Sequence, residues 1–526
     1  MKRQISGILL VLLLILPLLS GCGSKGNYFY YDIQSAPVNL DPQSAADYSS
    51  QLIISNLFQG LMRVDEEGEL VPAAAEHYQV ADGGMTYRFT LREDGYWSDG
   101  TPVVAEDFVY AFRRLFNPDT NAPMVSQFFC IENGEEVLAE QLPPESLGVE
   151  ALDDNLLEIR LSTYNARFLY LLTTAPAMPC NETFFTGTRG KYGLSLGQIM
   201  GNGPFYLSSW TDASVRLQHS ETYADPAVTA QSVTFNILDG MENPDTLVNR
   251  FLDGRTSGVA VADLDMVEGY SNYTTSENTV WGMIFQMEDT PFAQKAIRQA
   301  LLLDLDLSGA GEELPAGASL ARAIVPSHIR LGEESYRTQA GDDLLPAQNT
   351  AEAQRLYREG LDALGVSQLQ GLSIIMPEGS GHEVAFGYLS QIWQRDFQLY
   401  LTVEVLPETE YRQRLESGEF DCALVALTGS YNSPHAVLEQ FGSRSVGNVG
   451  NFKSGELASL LAQAETQSDP EKALALYRQA EELLIEEAAF LPFYYQAQYF
   501  VTADSVTGIV YDFDSRIVSF QYGQQN

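Results

Sequence analysis

Apolar residues at helical spacing, Leu52, Ile53, Leu57 and Leu61, predict a helix over 48–62. Before it, an aromatic run over 27–33 predicts a strand, closed off by the turn signal Leu40-Asp41-Pro42. Strand-like runs at 78–80 and 87–91 flank Ala81-Asp82-Gly83-Gly84, a β-hairpin signature, and Val64-Asp65-Glu66-Glu67-Gly68 predicts a second turn. A helix is expected from about Ala105, with Phe108, Phe112 and Leu115 on one side, after the turn-rich Trp97-Ser98-Asp99-Gly100-Thr101-Pro102. Two strands should surround Asp153-Asp154-Asn155. The first third is therefore a mixed α+β unit.

Strands are predicted again at 215–217 and 233–237, then a helix over 292–303 with Ala296, Ile297, Ala300 and Leu301 inward. The segments 309–317 and 332–349 read as loops, and 351–364 as a helix. Apolar runs at 372–376 and 401–406 enclose a helix over about 385–397, a β-α-β order that suggests a parallel pair. A strand at 420–427, a helix opened by Asp469-Pro470 and running to about 489, and a strong strand at 491–501 complete the pattern. There is no internal repeat.

The N-terminus changes the picture. Lys2 and Arg3 precede an apolar run over 8–19 broken only by Pro17, a secretory signal. It falls short of the roughly 20 apolar residues of a bilayer span, although an ordinary N-terminal anchor is the alternative. The run ends in Leu19-Ser20-Gly21-Cys22, and 23–27 form a short tether rich in Gly and Ser. The chain has 526 residues, more than one core usually supports, so two to four domains are expected. Thirty Lys and Arg stand against 70 Asp and Glu, a net charge of −40 that excludes a basic nucleic-acid groove. Cys130, Cys180 and Cys422 form no disulfide framework or metal pattern, and mostly buried free thiols are expected.

Ordered blocks then carry a resemblance. They are Leu40-Asp41-Pro42 with Asn56-Leu57-Phe58-Gln59-Gly60-Leu61, Tyr87-Arg88-Phe89-Thr90-Leu91-Arg92, and Trp97 to Tyr110. Further on come Gly201-Asn202-Gly203-Pro204-Phe205-Tyr206, Pro291-Phe292 through Leu301, Gly418-Glu419-Phe420-Asp421 and Pro492-Phe493-Tyr494-Tyr495. In this order they resemble the peptide and nickel class of bacterial extracellular solute-binding proteins (family 5), and its oligopeptide-binding lipoproteins in particular. Leu-Ser-Gly-Cys resembles the lipobox, which implies a diacylglyceryl anchor on Cys22.

The resemblance implies an α/β (mixed α+β), periplasmic-binding-protein-like type II fold (cluster C), with two hinged lobes and an extra domain. Residues 1–21 would be signal peptide and 22–26 the lipidated Cys and tether. Lobe I would take 27–58, 165–262 and 496–526, the extra domain 59–164, and lobe III 263–495. Closure on ligand is a familiar hinge motion. The implied role is extracytoplasmic capture of a peptide for the permease subunits, and through them the ATPases, of an ABC importer, by a membrane-anchored monomer without a cofactor. A pheromone-sensing lipoprotein is the alternative role; nickel chelates, opines and oligosaccharides are alternative ligands on the same fold.

The same resemblance marks a candidate site. Ala426, Thr428, Ser430, Tyr431 and Asn432 match the ligand-lining strand end, whose backbone pairs with peptide backbone. Relatives carry at Ser430 an Asp that pairs with the peptide's α-ammonium. Ser430 brings no charge, so a free N-terminus is either held elsewhere or not required. Ile33, Gln34 and Ser35 either pair with ligand or continue a sheet. Tyr494 and Tyr495 offer a hydroxyl and a ring, but neighbours in a strand face opposite sides, which puts at least one in the core. Asn121 to Met124 form either a ligand-reaching loop or a surface turn.

Enzyme and metal signatures are incomplete. Gly193-Leu194-Ser195-Leu196-Gly197 lacks the apolar strand that a nucleophile elbow needs before it. Asp304-x-Asp306-x-Ser308-Gly309 has Pro315 where a calcium loop needs a bidentate Glu. The five histidines are scattered, and no phosphate-binding Gly-Lys-Ser/Thr loop occurs. The chain is expected not to be an enzyme.

Overall fold

Hydrophobic periodicity resolves in the computed structural model into three large apolar cores, each around its own sheet, and two smaller clusters, one around Val248, Phe251, Val259 and Val501 and one around Ala111, Cys180 and Tyr192. The structure describes residues 26–65, 68–238, 244–306, 308–310, 314–315, 317–332, 334–378, 382–443 and 445–526. The signal segment and Cys22 lie outside them.

The first unit opens with β1 (Tyr28–Ile33) and α1 (Tyr48–Leu57). Asp47 caps α1 by accepting from Ser50 N at 2.8 Å, satisfying one of the free amides of its first turn. The chain then enters a smaller unit: β2 (Ala75–Ala81), β3 (Thr86–Leu91), α2 (Ala105–Leu115), β4 (Val149–Asp153) and β5 (Leu156–Arg160). Their antiparallel order is β2-β3-β5-β4. The β2–β3 hairpin closes as its sequence predicts, because Asp82, Gly83 and Gly84 take φ of 52°, 66° and 89°. Phe108, Phe112 and Leu115 of α2 are fully buried beneath this sheet.

The chain returns to the first unit with β6 (Phe205–Trp210), β7 (Ser214–His219) and β8 (Ser232–Ile237), giving a sheet ordered β1-β8-β7-β6 in which β1 runs parallel to β8. One side-chain cluster fastens the small unit to the first. Arg114 of α2 places Nη1 3.2 Å and Nη2 2.6 Å from the two oxygens of Asp41, donates to Gln43 Oε1 at 2.6 Å, and stacks 3.9 Å over Phe185.

The third unit is the largest. It contains β9 (Gly258–Val261), β10 (Asn272–Phe285), α3 (Lys295–Leu303), α4 (Thr350–Leu364), β11 (Leu372–Pro377), α5 (His382–Phe397), β12 (Leu401–Leu406), β13 (Cys422–Thr428), α6 (Pro470–Glu486) and β14 (Phe490–Thr502). Its sheet runs β9-β14-β10-β13-β11-β12, and β11 and β12 are parallel as their β-α-β spacing predicts. Asp469 accepts from the amides of Glu471 and Lys472, and Pro470 occupies the first turn, so α6 starts where its sequence says.

Two features depart from the pattern reading. β10 is a 14-residue central strand for which the sequence gives no alternation in its polar first half. Within the stretch expected to be loop, Tyr336–Ala340 is a short helix. Burial on Glu481 orders it: Arg337 Nη2 and Tyr336 OH both donate to that carboxylate, which also accepts from Ile324 N at 2.9 Å and Val325 N at 2.8 Å. Cys130, Cys180 and Cys422 are all unpaired, the last two buried.

β10 and β14 pair from Asn272↔Thr502 to Ile284↔Phe490. One end of this ribbon lies in the core of the third unit, while Phe500 enters the core of the first. The ribbon thus joins the two large units and brings the start of β10 to their boundary.

Candidate ligand-binding site

At that boundary the C-terminal end of β13 meets residues from both other units. β13 pairs with β10 along its whole length, with Thr279↔Thr428 and Trp281↔Ala426 opposite one another. On its other side it pairs with β11 only at Cys422 and Ala423. Beyond Ala423 that edge of β13 has no neighbouring strand among the described residues. Unpaired strand edges are templates for adding another strand. Ala426 is exposed, and Thr428 is half-buried with its hydroxyl 2.8 Å from that of Thr279. Gln498 Nε2 donates to Thr279 Oγ1 at 2.9 Å, and Trp281 Nε1 to Gln496 Oε1 at 2.7 Å, so on the paired side of β13 the side chains of β10 and β14 are polar and bonded to one another.

After Thr428 the chain turns toward the first unit. Ser430 is exposed. Tyr431 is buried, with the Arg167 guanidinium 3.8 Å from its ring centroid and the Tyr170 ring at 6.3 Å. Asn432 Oδ1 accepts from Arg330 N at 2.7 Å, and the Arg330 side chain forms an ion pair with Glu69 of the small unit. Asn278, from the polar half of β10, donates to Phe513 O at 3.2 Å and Asp514 Oδ1 at 3.1 Å. Three contacts therefore cross the boundary, through Tyr431, Arg330 and Asn278.

Charge on these walls is mixed. Glu277 accepts from the hydroxyls of Ser319 and Ser327, and Asp512 from Ser515 Oγ at 2.6 Å and Tyr170 OH at 3.4 Å. Burial, then the neighbouring Asp512 carboxylate, raises Asp514 to about 7. Desolvation, then the Arg330 charge, lowers His328. Burial pushes the Tyr170 and Tyr431 phenols up, so both remain neutral hydrogen-bonding groups.

The structure brings Ala426, Thr428, Ser430, Tyr431 and Asn432 together at this boundary. It does not bring Tyr494 and Tyr495 to it. Both belong to the core of the third unit: the Tyr494 hydroxyl bonds His382 Nδ1, and that of Tyr495 donates to Ala323 O at 3.0 Å. Their expected ligand role is corrected on that ground, since strands on both sides of β14 and helices over its faces leave neither side wet. Ile33 completes the sheet of the first unit; its side chain is 1% exposed and its carbonyl accepts from Leu238 N at 2.9 Å. Gln34 and Ser35 are exposed, with Ser35 Oγ 3.2 Å from Ser49 Oγ. In the loop after Asn121, Met124 Sδ lies 3.5 Å from Gln51 Nε2 of α1.

Sequence reasoning missed Arg167, Tyr170, Asn278, Arg330, Asp512 and Asp514. Only the Asp512-x-Asp514-Ser515 turn carried a local signal, its carboxylate capping the next amides. The enzyme-like and calcium-like strings are accounted for structurally. Gly193 to Gly197 lies in turns, with Leu194 and Leu196 exposed. Asp304 is buried and accepts from Thr350 Oγ1 at 2.7 Å.

Comparison with known proteins gives a consistent picture. Residues 69–448 match the profile of "Bacterial extracellular solute-binding proteins, family 5 Middle". The chain is 28% identical over 484 residues to the "Probable deoxycholate-binding periplasmic protein YgiS" of Escherichia coli (strain K12), covering 89% of this chain and 88% of that one. It is 26% identical over 494 residues to the "Dipeptide-binding protein DppE" of Bacillus subtilis (strain 168), covering 91% and 89%. Among solved structures, the substrate-binding domain of an oligopeptide ABC transporter from Bacillus anthracis str. Ames superposes with a TM-score of 0.71 at 25% identity, over 96% of this chain and 99% of that one.

Proposed function

Because this chain belongs to the bacterial extracellular solute-binding proteins of family 5, we propose that it captures a peptide outside the cytoplasm and delivers it to the permease of an ABC importer. The edge of β13 beyond Ala423, which has no neighbouring strand among the described residues and whose Leu424 and Thr428 carbonyls accept side-chain donors from Tyr411 and Gln440, carries this reading. An extended peptide laid along it gains main-chain hydrogen bonds that do not depend on side-chain identity. The polar walls of Glu277, Asn278, Asp512 and Asp514 suit amide groups, and their carboxyls offer negative charge that Ser430 does not. The dipeptide-binding and oligopeptide-transporter relatives support the same ligand class.

Residues 27–58, 165–262 and 496–526 form the first lobe in this reading, 263–495 the second, and 59–164 the extra domain, with β9 and residues 496–502 of β14 reaching from the first lobe into the sheet of the second. Ligand closes the lobes because it binds the closed state better than the open one. The thiol of Cys22 carries the lipid, holding the monomer at the membrane beside its permease. The chain acts by binding, without catalysis.

A second reading follows the deoxycholate-binding relative. A steroid would need an apolar wall, and the hydrogen-bonded walls beside β13 favour the peptide. Native mass spectrometry of the full chain, followed by denaturation and identification of what is released, separates them. Short peptides are expected. A steroid or a sugar would overturn the peptide assignment.

A further inference from the structure

Away from the cleft, a cavity of about 190 Å³ opens between the small unit and the first unit. It is smaller than the roughly 300–1,000 Å³ of pockets for drug-sized ligands. Arg63 reaches it from the small unit, next to Met62 in that unit's core. Tyr223, Asp225 and Tyr522 reach it from the first unit.

The charges around this cavity are arranged unusually. Arg92 and Asp94 satisfy each other through two bonds of 3.0 and 3.1 Å. Arg63 and Asp225 do not. The Arg63 guanidinium lies 5.3 Å from the Tyr522 ring centroid, and it makes no hydrogen bond or ion pair with any described residue. The Asp225 carboxylate accepts from Tyr522 OH at 3.0 Å and Ala227 N at 2.9 Å, both neutral donors, and meets no cation within ion-pair distance among the described residues. One cation and one anion thus line the same cavity without pairing.

Tyr223 adds a directional group. Its oxygen accepts from Gln59 Nε2 at 2.7 Å and from Gln521 Nε2 at 2.8 Å. A phenol has one proton to donate, and with both contacts accepting, that proton has no acceptor among the described residues. Burial, with Tyr522 and Asp225 nearby, pushes this phenol up, so it keeps the proton.

We propose that this cavity binds one free α-amino acid, its carboxylate held by Arg63 and the Tyr223 hydroxyl and its ammonium by Asp225. A guanidinium and a hydroxyl suit a carboxylate, and a carboxylate without a cationic partner suits an ammonium. A simple anion satisfies only the Arg63 side and is repelled by Asp225, and a simple cation the reverse. The bound amino acid bridges the small unit and the first unit. This site is independent of the peptide reading of the cleft.

The test is isothermal titration calorimetry of the full chain in detergent with each of the twenty amino acids, then with the α-amide and N-acetyl forms of those that bind. One-to-one binding is expected, weakened about tenfold or more when either charge on the ligand is blocked. Arg63→Gln and Asp225→Asn should each weaken it by a similar factor, and Tyr223→Phe by about threefold to tenfold. Thermal melts matched to the parent establish that each variant is folded, and any one matched variant suffices for the comparison. Absence of binding up to millimolar concentration overturns the proposal. So does binding that the variants leave unchanged, which would place the amino acid in the cleft.

Discussion

The guanidinium carbon of Arg167 sits 3.8 Å from the centroid of the Tyr431 ring, across the boundary of the third unit. No carboxylate of the described residues pairs with this arginine, so the aromatic face is its main electrostatic partner. Arg167→Ala should therefore weaken ligand binding by about threefold to thirtyfold, corresponding to about 0.5–2 kcal/mol for such a contact. Tyr431→Ala should do the same, and the double variant should add little. Calorimetry with peptides released from the native protein checks this; an unchanged affinity in Arg167→Ala would mean that closure does not use the contact.

Asp41 and Arg114 make a different kind of pair. It is buried, bidentate and supported by Gln43. Removing one partner strands the other charge out of water. Arg114→Ala should cost about 3–5 kcal/mol in urea unfolding, with the loss falling on the junction between the small and first units.

The pH dependence of Asp514 has a definite sign. Its folded value of about 7 lies above the ordinary 3.8. Between about pH 4 and 7 the folded chain keeps a proton that the unfolded chain releases, so this group's stabilisation is full at low pH and is lost as pH rises through about 7. Asp514→Asn should remove that slope and gain relative stability at pH 8 against pH 5. Paired urea titrations of variant and parent at the two pH values measure it, and parallel curves would refute the assignment.

Tyr494→Phe and Tyr495→Phe should each lower stability by about 1 kcal/mol, the worth of a lost buried hydrogen bond. Ligand affinity should not change, because neither hydroxyl reaches the cleft. Affinity loss without stability loss would return them to the site.

For the anchor, Cys22→Ser should move the chain from the membrane fraction to the soluble fraction and abolish incorporation of labelled fatty acid. Retention in the membrane would favour an uncleaved N-terminal segment instead.

Legibility from the sequence followed locality. Helix α2, the Asp82-Gly83-Gly84 hairpin and the β11-α5-β12 unit were readable because period, cap and turn are encoded within a few residues. The central strand β10 was not. Its first half, Asn272 to Asn278, is polar because it leaves the third unit's core and bonds to the first unit at their boundary, which removes the alternation that announces a strand. The site divides the same way. The run from Ala426 to Asn432 is legible as one candidate segment, whereas Arg167, Arg330 and Asp514 are ordinary residues in ordinary turns until the fold collects them. Tyr494 and Tyr495 were misassigned because a strand pattern cannot tell a wall from a strand covered on both faces.

The paired strands β10 and β14 make the connection between lobes a two-ply ribbon. Hydrogen bonds across it prevent one ply from sliding past the other, which leaves bending and twisting as the soft motions. Of its two register shifts, the one between Trp281 and Gly282 lies inside the third unit's sheet, where β13 also holds β10, whereas the one between Ser276 and Thr279 interrupts the bonding nearer the boundary. The molecule is in this respect a torsion spring with one interrupted coil at a fixed position. Adding or deleting one residue in a single ply would re-aim an entire lobe, while side-chain changes that keep the count leave its range of travel intact.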